Sequence, residues 1–281
     1  IRLSLVGSEM CIRDRVTSEV ELFFDFCPCE IVAVTGSDGK TTTTTLISKF
    51  YEAAGRKVHL GGNIGAALLP MLPEVSPEDV AVVELSSFQL ISMHASPNIA
   101  VVTNVTPNHL DHHKDMQEYV DAKKNIFRYQ DGSGLLVLNA DNDITAAFRG
   151  NGTTRFFSRK GMAYVCIEDG VICRDGREVL PTKDILIPGV HNIENYMAAI
   201  AVVEGLVSDE TIRHVAKTFG GVEHRIELIR TRKGVRWYND SIASSPSRTI
   251  AGLNSFPEQV ILIAGGKDKG ISYAPLGPVV N

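Results

Sequence analysis

The sequence predicts an α/β fold: a central, mostly parallel sheet of the phosphate-loop type, flanked by helices and followed by a second, Rossmann-like domain. Three observations lead to this class. Valine-rich apolar runs alternate with helical segments from Ile31 to about Asn142. Short runs with Asp-Gly turns occupy residues 153–188 and predict a small antiparallel section. A strand–helix–strand pattern then returns after residue 220.

Each predicted strand of the central sheet is a short apolar run bounded by Gly, Pro, Asn or Asp, which is typical of strands buried on both faces. In chain order these runs are IVAVTG, KVHLGGNIG, VAVVELSS, IAVVTNVTP and GLLVLNAD. The expected helices are TTTTLISKFYEAAG, which closes on Gly55, then SFQLISMH, MQEYVDAKKNIFRYQ and HNIENYMAAIAVVEGL. The antiparallel section comprises TRFFSRK, AYVCIEDGVICRDG and DILIPG.

These patterns divide the chain into four parts. Residues 1–15 have arginines at both ends and no sustained periodicity, and they resemble a non-biological leader read through from sequencing-adapter DNA. Residues 16–30 are expected to be a remnant or linker, and residues 31–220 form the central domain. Residues 221–281 hold the strand VRWYNDS, the helix SSPSRTIAGLNSF and the strand QVILIAGG. Two strands and a helix cannot cover both faces of a sheet, so we expect a truncated domain there.

Composition excludes several classes of protein. With 281 residues and 44% hydrophobic content, the chain can bury a core in one or two domains. Its net charge of −5 has acids and bases interspersed, which predicts no nucleic-acid surface. It has no run of 18 apolar residues, so no membrane span is expected. Five cysteines without metal-type spacing favour a reducing cytoplasm, and Cys27-Pro28-Cys29 is too short and isolated to indicate a zinc site.

A shortened phosphate loop follows the first predicted strand, as Gly36-x-x-Gly39-Lys40-Thr41. Backbone N–H groups and the helix N-terminus can surround an anion, Lys40 adds a point charge, and the Thr41 hydroxyl can reach Mg²⁺. Position 34 is valine, so the full GxxxxGK[ST] pattern is not met. A plain glycine turn with a surface lysine is the alternative. The apolar strand before the loop and the helix after it favour phosphate binding.

Two more residues are candidates because they follow the ends of predicted strands. Glu84 ends a buried strand, where an ionised carboxylate needs a partner such as nucleotide-bound Mg²⁺; a helix-capping acid is the alternative. His109 lies just past another strand end and is expected to be a metal or substrate ligand, whereas His112 and His113 are expected to be solvated. From its pattern alone, Lys123 is an ordinary lysine on an amphipathic helix.

Eight segments occur in one order that resembles the Mur ligase family of cytoplasmic ATP-dependent ligases in peptidoglycan precursor synthesis: TGSDGKTTT, GGNIG, ELSSFQL, NVTPNHLDHH, DAKKNIF, GVHNIENYMAA, GVEHRIE and YNDSIASSPSRTIAGL. The resemblance runs from about residue 17 to 281. SSFQL and NDSIASSP favour the member that adds D-glutamate to UDP-N-acetylmuramoyl-L-alanine. The family's UDP-binding first domain precedes the phosphate loop. The resemblance therefore implies a fragment that is a monomer, binds ATP·Mg²⁺ weakly and does not ligate at a useful rate.

The resemblance also implies residue roles. The catalytic residues would be Lys40, Glu84, His109 and Lys123. The ATP phosphates would be held by Gly36, Gly39, Lys40, Thr41, Thr42 and Arg225, the adenine by Asn192 and Asn195, and the ribose by Asp240. The Mg²⁺ ligands would be Thr41, Glu84, His109 and a carbamylated Lys123. The substrate contacts would be Asn63, Ser86 and Gln89, with Lys269 on D-glutamate.

The implied reaction begins with transfer of the ATP γ-phosphoryl group to the substrate carboxylate, and the amine of D-glutamate then attacks the acyl phosphate. Three alternatives stay open. One is a sibling ligase, either a folylpolyglutamate synthase or a Mur ligase that adds lysine or diaminopimelate. The second is a phosphate-loop kinase or GTPase, although a GTPase predicts an NKxD-type segment that the sequence lacks. The third is a nucleotide-binding remnant without activity.

Overall fold

The computed structural model describes residues 17–107, 112–243, 245–266 and 272–280. Its strands are β1 (Glu30–Thr35), β2 (Val58–Gly62), β3 (Val80–Glu84), β4 (Ile99–Val102), β5 (Leu135–Asn139), β6 (Thr153–Ser158), β7 (Val165–Glu168), β8 (Val171–Arg174), β9 (Arg177–Pro181), β10 (Glu227–Arg232) and β11 (Val235–Asn239). Its α-helices are α1 (Glu19–Phe26), α2 (Lys40–Ala53), α3 (Ser87–Leu90), α4 (Met116–Arg128), α5 (Asp143–Ala146), α6 (Val190–Val202), α7 (Asp209–Thr218), α8 (Pro246–Leu253) and α9 (Gly277–Val280). Short 3₁₀ helices occur at Leu69–Glu74, Thr182–Asp184 and Ala274–Leu276.

One sheet in the order β2-β3-β1-β4-β5-β6-β7-β8-β9 forms the centre of the described structure. Its strands are parallel from β2 to β7, and β8 and β9 are antiparallel additions at one end. This confirms the predicted α/β class. Because β1 lies between β3 and β4, the chain crosses over in opposite directions on its two sides, which opens a crevice at the carboxyl end of β1.

The core lies on both faces of this sheet, as the apolar strand runs predict. Val32 and Val34 of β1 face a cluster that includes side chains of α2, α6 and α7. Ile31 and Ala33, which alternate with them, face a second cluster that includes side chains of α1, α3 and α4. Strands covered in this way hold their carboxyl ends rigidly, which suits them to position a site.

The helix after the phosphate loop carries hydroxyl residues on buried positions. Thr44 and Ser48 are buried, and their hydroxyl groups donate to the carbonyl oxygens four residues earlier, at 2.8 and 3.0 Å. Gly55 follows the helix with a φ of +83°, in the left-handed conformation expected of a helix end. The polar run in this part of the sequence is therefore compatible with a buried helix.

The antiparallel section is smaller than predicted. The run TRFFSRK forms β6, which pairs in parallel with β5, so only β7, β8 and β9 supply the antiparallel hairpins. The predicted strand DILIPG is absent, because the backbone N–H of Leu186 donates to the carbonyl oxygen of Ala216 at the end of α7 instead. Both Asp-Gly turns have positive φ at each residue, as two-residue hairpin turns require.

Two helices differ from the prediction. The run SFQLISMH forms only the single turn α3, since Asn125 Nδ2 donates at 2.8 Å to the carbonyl oxygen of Leu90 and caps the helix there. Residues 19–26, in the segment expected to be a linker, form α1. Ser18 caps this helix, and Val20 and Phe23 are buried.

The last predicted strand, QVILIAGG, does not form. Ile261 and Ile263 are 94% and 80% exposed, and the described part of the chain pairs no strand with them. A strand is stable only when a neighbour accepts its backbone hydrogen bonds, which explains the loss. The strand VRWYNDS does form, as β11 in a hairpin with β10, and the helix after it forms as α8. No helix in the described ranges is long and apolar enough to span a membrane.

Candidate active site

The phosphate loop joins β1 to α2 at the crevice, and two of its positions require glycine. Gly36 has a φ of +152°, and a Cβ there would lie 1.9 Å from Thr103 Oγ1. Gly39 has a φ of +80°, and a Cβ would lie 2.3 Å from Asn195 Oδ1. Gly39 is the N-cap of α2 and offers no side-chain hydrogen bond to the helix. The first N–H groups of α2 therefore keep their capacity to bind an anion.

The exit of β4 holds this loop in place. The backbone N–H of Ser37 donates to the carbonyl oxygen of Asn104 at 2.9 Å, and that of Asp38 donates to Asn104 Oδ1 at 2.9 Å. Thr103 Oγ1 donates to the carbonyl oxygen of Asp38 at 2.6 Å. The residues that follow β4 thus hold the loop in place before any ligand binds.

Two lysines share one carbonyl oxygen of the loop. Lys40 Nζ donates to the carbonyl oxygens of Gly36 and Ser37, both at 3.1 Å, and Lys123 Nζ donates to that of Gly36 at 2.9 Å. Burial lowers the pKa of Lys40, while Glu84 and Asp38 partly offset the effect. Two ammonium groups held this close repel each other, so a polyanion bound in the loop would stabilise both.

Lys123 is not the exposed helix lysine that its pattern alone indicates. Its side chain is 1% exposed, and its Nζ lies 4.6 Å from the centre of the Tyr119 ring. Burial, and then the charge of Lys40, lower its pKa to about 7. About half of the Lys123 side chains are therefore neutral at neutral pH.

This depressed pKa predicts a measurable pH dependence of stability. In the unfolded chain Lys123 titrates near 10.5, whereas in the folded chain it titrates near 7. Between these values the unfolded state binds more protons, so the contribution of Lys123 to stability is least favourable below pH 7 and improves as the pH rises. The free energy of unfolding should be measured with urea in the absence of bicarbonate. From about pH 7 to 9, that of wild type should rise by roughly 1 kcal/mol per pH unit relative to that of Lys123→Met. Parallel profiles would exclude the depressed pKa.

Glu84 carries an unpaired oxygen at the end of β3. Its side chain is 1% exposed, and Oε1 accepts a hydrogen bond from Asn63 Nδ2 at 2.8 Å. Oε2 is buried and has no hydrogen-bond partner among the described residues. A buried carboxylate oxygen without a donor is costly, and a hard cation such as Mg²⁺ would satisfy it. The alternative of a helix-capping acid is wrong, because Ser86 is the N-cap of the next helix.

The predicted substrate contacts Ser86 and Gln89 form a reciprocal capping box at the start of α3. The backbone N–H of Gln89 donates to Ser86 Oγ at 3.3 Å, while Ser86 N donates to Gln89 Oε1 at 2.9 Å. Asn63, the third such residue, donates its backbone N–H to the carbonyl oxygen of Glu84 at 2.8 Å. The three residues thus follow the ends of β2 and β3, on the same edge of the sheet as the loop.

His113 is buried, which contradicts the expected solvated side chain. Its Nε2 and Ser87 Oγ are joined by a hydrogen bond of 2.9 Å, and its ring stacks on Phe88 at 5.1 Å. Tyr119 packs against it edge-on and reaches Ser37 Oγ of the loop at 2.9 Å. These contacts join α3 and α4 to the phosphate loop. His112 is exposed, as expected.

A cavity of about 310 Å³ lies beside the loop, between α6 and residues 225–252. Five predicted nucleotide-binding residues line it: Gly39, Thr42, Asn195, Arg225 and Asp240. Asn192 supports this wall, since Asn195 Nδ2 donates to its Oδ1 at 3.1 Å and Asn192 Nδ2 donates to the carbonyl oxygen of Pro188 at 2.6 Å. A larger cavity of about 530 Å³, between α4, α5 and the loop after α5, contains none of the predicted residues.

The charges of this cavity suit a phosphate ester. Burial lowers the pKa of Arg225, and the nearby charge of Arg248 lowers it further. Burial raises the pKa of Asp240, whose Oδ1 accepts a hydrogen bond from the backbone N–H of Ile226 at 3.2 Å. Arg225 and Arg248 supply cations that suit phosphate oxygens, and the same lining carries three carboxylates: Asp38, Glu194 and Asp240.

The sequence analysis missed most of the residues that line this cavity, among them His191, Glu194 and Arg248. His191 and Glu194 lie on the same face of α6 as Asn195, so helical spacing could have indicated them. Arg248 of α8 has no comparable local signal, because its place depends on how residues 221–266 fold. Thr41 lies in the first turn of α2, beside Lys40. His109 and Lys269 lie outside the described residues, so their roles stay predictions.

Comparisons with known proteins place this geometry in a family. Residues 34–203 match the Mur ligase middle domain. A UDP-N-acetylmuramoylalanine–D-glutamate ligase of Acetivibrio thermocellus is 59% identical over 94% of the chain, and a protein of the same name from Ruminiclostridium cellulolyticum is 52% identical over 95%. The chain spans 59% of the length of each.

Solved structures with a similar fold are more distant in sequence. MurF of Acinetobacter baumannii aligns with a TM-score of 0.66 and 22% identity, over 84% of this chain and 56% of that one. MurF ligase of Thermotoga maritima, solved in complex with ADP, aligns with a TM-score of 0.64 and 21% identity, over 87% and 63% of the two chains. At this level of identity the likeness concerns the fold.

Proposed function

This chain belongs to the Mur ligase family, and from that premise we propose that it is the ATP-binding part of a cytoplasmic ligase that adds D-glutamate to UDP-N-acetylmuramoyl-L-alanine. The two relatives described above, at 59% and 52% identity, carry this activity in their names. The quoted segments SSFQL and NDSIASSP favour the same member of the family. The reaction would form an amide at the expense of ATP.

One observation carries the proposal: Oε2 of Glu84, which is buried and has no hydrogen-bond partner in the described part of the chain, lies at the same sheet edge as the phosphate loop and its two lysines. A purely structural glutamate would have both oxygens satisfied. The loop supplies N–H donors and positive charge for phosphates, and Glu84 supplies a hard anionic ligand for a metal ion. Together they suit ATP with Mg²⁺.

The residues then divide the work. The N-terminus of α2 and Lys40 would hold the phosphates and neutralise charge that gathers on the transferring γ-phosphoryl group. Thr41 and Glu84 would hold one Mg²⁺. His109 and a carbamylated Lys123 would hold a second. When bound, these ions would stabilise negative charge on the phosphoryl oxygens. Asn195, Arg225 and Asp240 would hold the nucleoside and its phosphates, while Asn63, Ser86 and Gln89 would orient the acid and Lys269 the D-glutamate.

The acid needs this activation because a carboxylate would have to expel oxide or hydroxide to form an amide. Transfer of the γ-phosphoryl group to a carboxylate oxygen converts that oxygen into a phosphate leaving group. The amine of D-glutamate attacks the acyl carbon, and the tetrahedral adduct collapses with loss of phosphate and a proton. No covalent bond forms between the enzyme and the substrate in this series of steps.

Lys123 is suited to carbamylation because CO₂ reacts with a neutral amine, and its pKa of about 7 leaves much of it neutral. In buffer with ¹³C-labelled bicarbonate, wild type should give a carbamate resonance that Lys123→Met lacks. Lys124→Met is the matched control, since the Lys124 side chain is about one-third exposed and its Nζ pairs with Asp121 Oδ1 at 3.2 Å. A resonance that persists in Lys123→Met, or is lost in Lys124→Met, would exclude the assignment.

The ligase activity itself is tested in a chimera. Residues 31–281 of this chain replace the matching segment of the Acetivibrio thermocellus relative, and ADP release is measured with UDP-N-acetylmuramoyl-L-alanine and each amino acid. D-glutamate should support turnover at least ~10²-fold faster than L-glutamate, L-lysine or diaminopimelate. Lys40→Ala in the chimera should be inactive. Preference for lysine or diaminopimelate would assign the chain to a sibling ligase instead.

A further inference from the structure

Two cysteines lie together outside the proposed active site. Cys27 and Cys29, separated by Pro28, join α1 to β1, the strand that ends at the phosphate loop. Their Sγ atoms are 3.5 Å apart. Cys27 is half-buried and Cys29 is 7% exposed. Cys27 is thus the more exposed residue of a pair whose two sulfurs are in contact.

The surroundings give the two thiols different reactivities. Cys29 Sγ donates to the carbonyl oxygen of Glu30 at 3.5 Å, and burial, followed by the neighbouring Cys27, raises the pKa of Cys29 to about 12. A thiol exchanges with a disulfide only as its thiolate. Cys27 is therefore the thiol that reacts first with a reagent in solution, and Cys29 is placed to react second.

A metal site is a poorer use of this pair. Two sulfurs supply only half of the four ligands of a structural zinc site. Across the described ranges, no group of three or more His, Cys, Asp and Glu side chains is placed to hold a metal ion. A disulfide would require the two sulfurs to approach by about 1.5 Å, to the ~2.05 Å of an S–S bond, with a Cβ–S–S–Cβ dihedral of about ±90°.

We propose that Cys27 and Cys29 are a dithiol modification site, which exchange with a low-molecular-weight disulfide such as oxidised glutathione closes into an intramolecular disulfide. The Cys27 thiolate attacks one glutathione sulfur, the glutathione S–S bond breaks, and a glutathione thiolate leaves with the electron pair. Only a small fraction of Cys29 is thiolate, but its sulfur already lies 3.5 Å from Cys27 Sγ. When Cys29 loses its proton to solvent, its sulfur attacks Cys27 Sγ, and the second glutathione leaves as a thiolate with the electron pair. The protein loses two electrons and two protons, and two glutathione thiols form.

The chain contains a matched control pair. Cys166 and Cys173 face each other across β7 and β8, and both are buried. Their sulfurs interact elsewhere, with Glu168 Oε1 at 3.6 Å and with the carbonyl oxygen of Val171 at 3.8 Å. Both cysteines of each pair lie on one tryptic peptide, residues 16–40 and 161–174. Mass spectrometry can therefore measure the oxidation of each cysteine pair separately.

The test incubates the folded chain with oxidised glutathione, quenches it with acid, unfolds it, alkylates the free thiols and digests it with trypsin. Peptide 16–40 should lose two hydrogen atoms and accept no alkyl group, and dithiothreitol should restore both alkylation sites. Peptide 161–174 should remain doubly alkylated. The proposal is overturned if peptide 16–40 stays doubly alkylated, ends with glutathione attached, or oxidises no faster than peptide 161–174.

Two variants test the order of the steps. In Cys29→Ser, the reaction should stop at the mixed disulfide, with one glutathione on Cys27. In Cys27→Ser, Cys29 should stay reduced because it is buried. Glutathione on Cys29 in the second variant would contradict the assignment of Cys27 as the attacking thiol. A circular dichroism spectrum like that of wild type shows that each variant is folded.

Discussion

Gly36→Ala should cost roughly 3 kcal/mol of stability and abolish nucleotide binding. Its φ of +152° is a conformation that L side chains rarely adopt, and the new Cβ would lie 1.9 Å from Thr103 Oγ1. That hydroxyl is not free to move, because it donates to the carbonyl oxygen of Asp38 at 2.6 Å. Urea unfolding and nucleotide titration measure the two effects.

Gly55→Ala is the matched control for this substitution. Gly55 also has a positive φ, of +83°, but a Cβ there would meet nothing within 4 Å. Its cost should be about 1 kcal/mol, from backbone strain alone. In a Thr103→Ala background the cost of Gly36→Ala should fall, since the clashing atom is gone. Equal losses at Gly36 and Gly55 would show that the loop does not need its close contact with β4.

Local sequence patterns were sufficient for strands β1 to β5 of the central sheet. The alternation of valine-rich runs with helices predicted β1 to β5, because strands buried on both faces need apolar residues at every position. The two glycines of the loop were also predicted from the sequence. A left-handed backbone in close contact with other atoms can be adopted by few residues other than glycine. The candidate residues that end strands, such as Glu84, followed from the geometry of parallel sheets.

Most of the failures have one physical cause, since they depend on contacts between distant segments. Lys123 and His113 have the local pattern of exposed residues, but in the fold Lys123 donates to the carbonyl oxygen of Gly36 and His113 stacks on Phe88. The run around Ile261 has strand propensity, but among the described residues no strand pairs with it. Helix α1 is the exception, because its cap, Ser18, is a local signal. Propensity is local, whereas burial and sheet pairing are tertiary.

Glu84→Gln should weaken Mg²⁺-dependent ATP binding at least tenfold, about 1.4 kcal/mol, while it changes stability by less than about 1 kcal/mol. The amide keeps an oxygen for the hydrogen bond from Asn63 Nδ2 but removes the charge that a dication requires. Binding of ATP without Mg²⁺ should not weaken. The measurement is calorimetric titration with Mg²⁺ and with a chelator.

The control is Glu52→Gln, the same change at an exposed carboxylate of α2 that pairs with Lys49 at 2.8 Å. It should leave the affinity for Mg²⁺·ATP unchanged. If Glu84→Gln bound Mg²⁺·ATP as tightly as Glu52→Gln, the unpaired oxygen of Glu84 would have no part in metal binding.

The most direct test of the phosphate-loop site compares Mg²⁺·ATP binding by wild type and Lys40→Ala. Removal of the ammonium group that faces the loop should lower the affinity by at least ~10²-fold, or about 2.7 kcal/mol. Lys49→Ala, an exposed lysine of the same helix, should bind like wild type. The predicted result is that wild type binds ATP saturably and more tightly with Mg²⁺, and that Lys40→Ala loses this binding. Equal affinity of wild type and Lys40→Ala, or no binding by wild type, would contradict the account.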